Sequence, residues 1–61
     1  MKWSAGDLIR MTMKDTHDGF HIVILEVLDS DYYDVLELET GQYHRWYLNE
    51  FSKVWDFVKV V

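Results

Sequence analysis

The chain has no cysteine and no proline. Without thiols there can be no disulfide, no thiolate metal ligand and no cysteine nucleophile. Without proline, the breaks between its segments fall to glycine and short polar residues. It also lacks any long apolar run. Residues 20–28 are the greasiest stretch, and His21 and Glu26 interrupt them; a bilayer crossing needs about 20 such residues. Met1-Lys2-Trp3-Ser4 carries no apolar region of the signal-peptide kind. The expectation is a soluble chain, neither secreted nor membrane-bound. Basic residues are scarce: six against eleven acids, for a formal charge of −5. Phosphate backbones recruit Lys and Arg, so nucleic acid is an unfavourable partner.

Apolar and aromatic residues are what the chain has in quantity. It is 49% hydrophobic and 16% aromatic over 61 residues. A chain of this length buries only roughly 60% of the surface its unfolded form exposes, so one domain, residues 1–61, is expected. Bulky aromatics suit it, because each buries a large area per residue ordered. Part of this apolar content is expected to bury against a partner, since small domains gain stability by association.

Alternation marks the strands. In Leu8 to Met13, Ile9, Met11 and Met13 share one face and Arg10 and Thr12 the other; period two is the sign of a half-buried strand. Gly6-Asp7 before it and Lys14 to Gly19 after it are turn-like. Phe20 to Leu28 is apolar on both faces and rich in β-branched residues, which predicts a strand covered on both sides or one that changes face at a bulge. Asp29-Ser30-Asp31 turns the chain into a third strand, Tyr32 to Glu39, and Thr40-Gly41 signals a tight hairpin into a fourth, Gln42 to Leu48. There Tyr43, Arg45 and Tyr47 oppose Gln42, His44 and Trp46. Asn49 to Ser52 fits a 3-10 turn, and Lys53 to Val61 reads as a last strand. Short strands in meander order must close or expose apolar edges. The predicted fold is therefore all-β: a single five-stranded, strongly bent barrel with a short 3-10 turn before the last strand.

Several segments in order resemble a known family. Gly6-Asp7-Leu8-Ile9-Arg10-Met11 looks like the opening strand of small Src-homology-3-like barrels, Tudor and KOW modules among them. Gly19 to Val27 is similar to the second strand of short barrel proteins of this kind encoded by bacteriophages, with His21 where a second glycine is usual. Tyr33 to Leu36 with Gly41, then Trp46, Leu48, Phe51 and Val54, resemble the third strand, the hairpin and the crossing turn. The resemblance covers about residues 3 to 55 and implies a Src-homology-3-like barrel. It implies no single activity, because members serve as interaction modules for peptides, nucleic acid or neighbouring subunits. A phage-encoded chain would sit in the host cytoplasm or on the virion.

No catalytic constellation emerges. Ser4, Ser30 and Ser52 lie in turn-like segments without a paired histidine and buried acid, and Glu26 and Glu37 are expected to point outward from the pleat. His17 and His21 straddle a turn, and His44 reads as an exposed strand residue. Asp29, Asp31 and Asp34 resemble the start of a calcium loop, but Asp34 stands where that loop needs glycine and Thr40 where it needs glutamate. No enzyme activity, cofactor, metal or small-molecule substrate is expected. Aromatics carry the functional signal, because the rings exceed what one tiny core can hide. Tyr32, Tyr43, Arg45, Trp46 and Tyr47 are the candidate partner-binding residues, with Arg45 stacking among the rings. The expected function is a protein-interaction module, with a protein or a second copy as partner. The alternatives are an acidic DNA-mimic inhibitor of a nucleic-acid-binding protein and a weak nucleic-acid module that stacks bases on its rings.

Overall fold

The computed structural model describes residues 3–60. Five strands follow one another: β1 (Leu8–Met13), β2 (Gly19–Asp29), β3 (Tyr32–Glu37), β4 (Tyr43–Tyr47) and β5 (Trp55–Lys59). A 3-10 helix, η1 (Leu48–Lys53), separates β4 from β5. The expected elements are all present; β2 and the 3-10 turn run a residue further at each end, and β3, β4 and β5 are shorter than expected. The third strand stops at Glu37 because residues 38–40 form the turn, and the last begins only after η1 has taken up Lys53. Val61, placed at the end of that strand by sequence, lies outside the described residues.

The strands form one antiparallel sheet in the order β4-β3-β2-β1-β5. Ile9 and Met11 of β1, Ile22 and Ile24 of β2, Tyr33 and Val35 of β3, and Leu48 of η1 are fully buried. These are the alternate positions that strand periodicity puts on one face. Trp3, Phe20, Trp46, Phe51, Trp55 and Phe57 pack around them, half-buried.

β2 is the long strand that bends. Its register with β3 slips twice, between Ile24 and Glu26 and between Val27 and Asp29. Each slip is a bulge, which sharpens twist and re-aims side chains. The chain thus resolves the two-faced apolar character of β2 by bending: Leu25, Val27 and Leu28 end up exposed.

Backbone closure, expected from the sequence, does not occur. β4 and β5 are the two edges, and no ladder joins them among the described residues. The sheet curls instead through its rings. Phe20, on the middle strand, meets Trp46 of one edge strand at 6.1 Å and Trp55 of the other at 5.2 Å, both edge-to-face. Phe51 of η1 lies 5.1 Å from Trp46. Side chains rather than peptide hydrogen bonds thus bridge the two edges.

Two glycines are fixed by geometry. Gly41 (φ +74°) ends the β3–β4 turn, its N–H donating to the Glu37 carbonyl at 2.8 Å while the Glu37 N–H donates to the Gln42 carbonyl at 2.8 Å. That left-handed position favours glycine. At Gly19 a Cβ would collide with the Met11 carbonyl.

Candidate functional site: the outer face of the β3–β4 hairpin

The hairpin register sorts the aromatic residues onto two faces. On the outer face stand three cross-strand rungs: Leu36 opposite Tyr43, Asp34 opposite Arg45, and Tyr32 opposite Tyr47. Tyr43 is 73% exposed, and Tyr32 and Tyr47 are 41% exposed each. Tyr32 and Tyr47 meet edge-to-face with centroids 6.1 Å apart, a favoured ring geometry. Opposed positions in an antiparallel pair share a face, so this hairpin displays a tyrosine at each end of β4 and an ion pair between them.

Arg45 pairs with the residue opposite it. Its Nε donates to Asp34 Oδ1 at 2.8 Å and its NH2 to Asp34 Oδ2 at 3.3 Å. These hydrogen bonds hold the Asp34 carboxyl below its ordinary value, and the same bonds raise the Arg45 guanidinium, with a smaller pull from Tyr32 and Glu26. A shallow depression of about 330 Å³ beside the pair is lined by Leu25, Asp34, Val35, Tyr43, His44 and Arg45.

Trp46, the fifth candidate, stands on the other face. It is opposite buried Tyr33 and packs against Phe20 and Phe51. Its indole lies flat on the His44 ring, with centroids 4.3 Å apart and planes 12° apart. His44, expected on the surface, is half-buried, and its Nε2 lies 3.0 Å from Glu37 Oε1. Glu37 also departs from expectation. Paired with Ile22, it shares the inward side, and it is kept there by His44. Glu26 does face outward, opposite Asp34.

Other polar groupings lie elsewhere. His21 Nδ1 is 2.7 Å from Glu39 Oε2, the His21 N–H donates to Glu39 Oε1 at 2.8 Å, and Arg10 NH1 is 3.5 Å from His21 Nε2. The His21 side chain, then its backbone N–H, holds Glu39 below its ordinary value. Asp7 is likewise lowered, first by the Ser4 N–H and then by Lys59. A second hollow of about 300 Å³ is lined by Trp3, Val27, Asp29, Ser30, Asp31 and Tyr33. Trp3 Nε1 is buried without a hydrogen-bond partner among the described residues. Among those residues no cluster of three or more His, Asp or Glu side chains could hold a metal ion. No helix among them is long and apolar enough to cross a membrane.

The division between inner and outer rings was only half legible in the sequence. Alternation separated Tyr43, Arg45 and Tyr47 from His44 and Trp46, but both sets are aromatic, so composition could not say which set faced the core. The hairpin register decides it by placing Trp46 beside Tyr33. No protein-family model, curated protein or solved structure matches this chain.

Proposed function

We propose that this chain is a non-enzymatic interaction module that docks on a protein through the outer face of its β3–β4 hairpin. Tyr32, Tyr43 and Tyr47 supply the contact area, and the Asp34–Arg45 pair sets orientation. One observation carries the reading: three tyrosines stand exposed on one face although half-buried Trp and Phe rings already cover the core. Exposed tyrosines offer apolar area and a polar tip at low entropic cost, which is why they anchor interfaces. The depression between Leu25 and Tyr43 would take one side chain of the partner. Trp46 is left out of this surface and assigned to the fold.

We read the curled sheet as a member of the Src-homology-3-like barrels. The placing of β1 between β2 and β5, the bent β2 and the 3-10 helix before β5 support this reading.

The test is retention of protein from native lysate on the immobilised chain. The Tyr43→Ser/Tyr47→Ser variant is expected to lose the retained protein, whereas Asp15→Ser, in the β1–β2 turn, keeps it. Equal retention by the double variant and the wild type would remove this face from consideration.

A further inference from the structure

β4 is an edge strand, and its hydrogen-bond phase can be read from its two ends. The Glu37 N–H donates to the Gln42 carbonyl at 2.8 Å and the Leu48 N–H to the Asp31 carbonyl at 2.9 Å. The register between them runs without a slip. Hydrogen-bonded and non-hydrogen-bonded pairs alternate along an antiparallel ladder. Val35–His44 and Tyr33–Trp46 are therefore the bonded pairs. The N–H and C=O groups of Tyr43 and Arg45 and the N–H of Tyr47 point away from β3, toward the free edge, while the Tyr47 carbonyl accepts the first bond of η1. The three residues that display side chains on the outer face thus also present backbone donors, and two of them backbone acceptors.

The strand is a chemical palindrome about Arg45. Tyr43 and Tyr47 flank it on the outer face, and His44 and Trp46 flank it on the inner face, already stacked on each other. A two-fold antiparallel pairing of β4 with itself, centred on Arg45, places Tyr43 opposite Tyr47 of the second copy and His44 opposite Trp46 of the second copy. Every opposed pair then shares a face, and all three outward-pointing residues fall in the hydrogen-bonded phase. The Arg45–Arg45 pair exchanges two peptide hydrogen bonds, and in each tyrosine pair the Tyr47 N–H donates to the Tyr43 carbonyl of the other copy, because the Tyr47 carbonyl already opens η1. The tyrosine pairs extend the Tyr32–Tyr47 contact across the seam, as aromatic cross-strand pairs do. The obstacle is the like charge of Arg45 against Arg45. Each guanidinium already lies on the Asp34 carboxylate of its own chain, with Glu26 beyond it, so the two like charges at the centre of the row are flanked by carboxylates on both sides.

We infer that β4 is the seam of a two-fold homodimer in which two sheets join edge to edge into one. This rests on the reading of the β3–β4 hairpin as a docking surface and names a second copy of the chain as its occupant. A five-residue edge with its tyrosines covers less than the roughly 800 Å² per partner of a standard interface, so the dimer forms in the micromolar-to-millimolar range. Such isologous closure also leaves no new unpaired edge at the seam.

Sedimentation equilibrium of the full chain from micromolar to millimolar concentration tests it, with amide hydrogen exchange on the same samples. The mass is expected to rise from the 7.4 kDa monomer toward twice that value. Exchange should slow with concentration at Arg45 and Tyr47 and stay constant at His44 and Trp46, whose N–H groups are already bonded to β3. Arg45→Pro removes an edge donor that the monomer does not use, and edge strands tolerate proline. It should stay monomeric at concentrations where the wild type is half dimer, with its β-sheet circular dichroism retained. Asp15→Ser, in the β1–β2 turn, should dimerise as the wild type does. If Arg45→Pro does not fold, the wild-type exchange pattern decides alone. A wild type that stays monomeric at millimolar concentration, a dimer that survives Arg45→Pro, or concentration-independent exchange at Arg45 and Tyr47 would overturn the inference. A monomeric wild type whose Tyr43→Ser/Tyr47→Ser variant still loses a protein partner sinks the dimer and spares the docking reading. An edge dimer whose tyrosine double variant keeps every partner does the reverse.

Discussion

Arg45 and Asp34 face each other across the β3–β4 hairpin, and the guanidinium grips both carboxylate oxygens, at 2.8 and 3.3 Å. The Arg45 side chain is 62% exposed, so its worth as a stabiliser is heavily screened by water. Its consequence is orientation, because a two-pronged contact fixes the plane of the guanidinium between Tyr43 and Tyr47. Asp34→Asn should leave the melting temperature within a few degrees of wild type while weakening partner retention. A large loss of melting temperature would mean that the pair holds the fold rather than the face.

Acid should weaken the fold in a defined window. Asp34, Asp7 and Glu39 are all held below their ordinary values, of 3.8 for Asp and 4.5 for Glu, by hydrogen bonds from Arg45, Ser4 and His21 respectively. A carboxyl that is lowered in the folded state stabilises it at pH above the unfolded value, and that contribution disappears as pH falls through the folded value. Melting temperature should be flat from neutrality to about pH 5 and then decline below pH 4. Asp34→Asn should remove part of the decline. An unchanged acid limb in that variant would contradict the assignment.

The rings divide by role, and stability measures the division. Trp46→Ala removes an indole packed against Phe20, Phe51 and His44, at a cost of about 3–5 kcal/mol by analogy with other large core truncations. A chain of this length holds roughly 3–9 kcal/mol in all, so the variant should lose the larger part of its stability. Tyr43→Ser, at the most exposed large residue, should change unfolding free energy by less than about 0.5 kcal/mol. Urea denaturation followed by circular dichroism separates the two; equal losses would dissolve the distinction between inner and outer rings.

Gly19 should tolerate no side chain. Its missing Cβ leaves room for the Met11 carbonyl, so Gly19→Ala forces β1 and β2 apart at about 1–3 kcal/mol. Gly41→Ala meets open space but a left-handed backbone, and should cost about 1–2 kcal/mol. Thermal denaturation of both variants checks the pair; a neutral Gly19→Ala would contradict the register between Gly19 and Thr12.

Most of this sheet was legible from alternation alone. Ile9 and Met11 in β1, Ile22 and Ile24 in β2 and Val35 in β3 occupy the buried positions that period two assigned them. The doubly apolar β2 was rightly read as a strand that either is covered on both faces or bends, and the bulges after Ile24 and Val27 choose bending. What failed was long-range. Glu37 looks like a solvent-facing carboxylate until His44 is brought opposite its neighbour Val35 and reaches its oxygen. The hazard of open edges argues for closure of the sheet, but Phe20, Trp46, Trp55 and Phe51 close the core with rings, and no ladder joins β4 to β5 among the described residues. Local pattern specifies the strands; ring packing between distant positions specifies how far they curl.

Partners are proposed to grip the Tyr32, Tyr43, Arg45 and Tyr47 side of the hairpin. A nuclear magnetic resonance titration of the isotopically labelled chain with a protein it retains maps that contact residue by residue. Shift changes confined to β3 and β4 outer-face positions, with Ile9, Ile22 and Trp55 unmoved, are the predicted result. Changes centred instead on the outer positions of β1 and β5, around Arg10 and Val58, would contradict it.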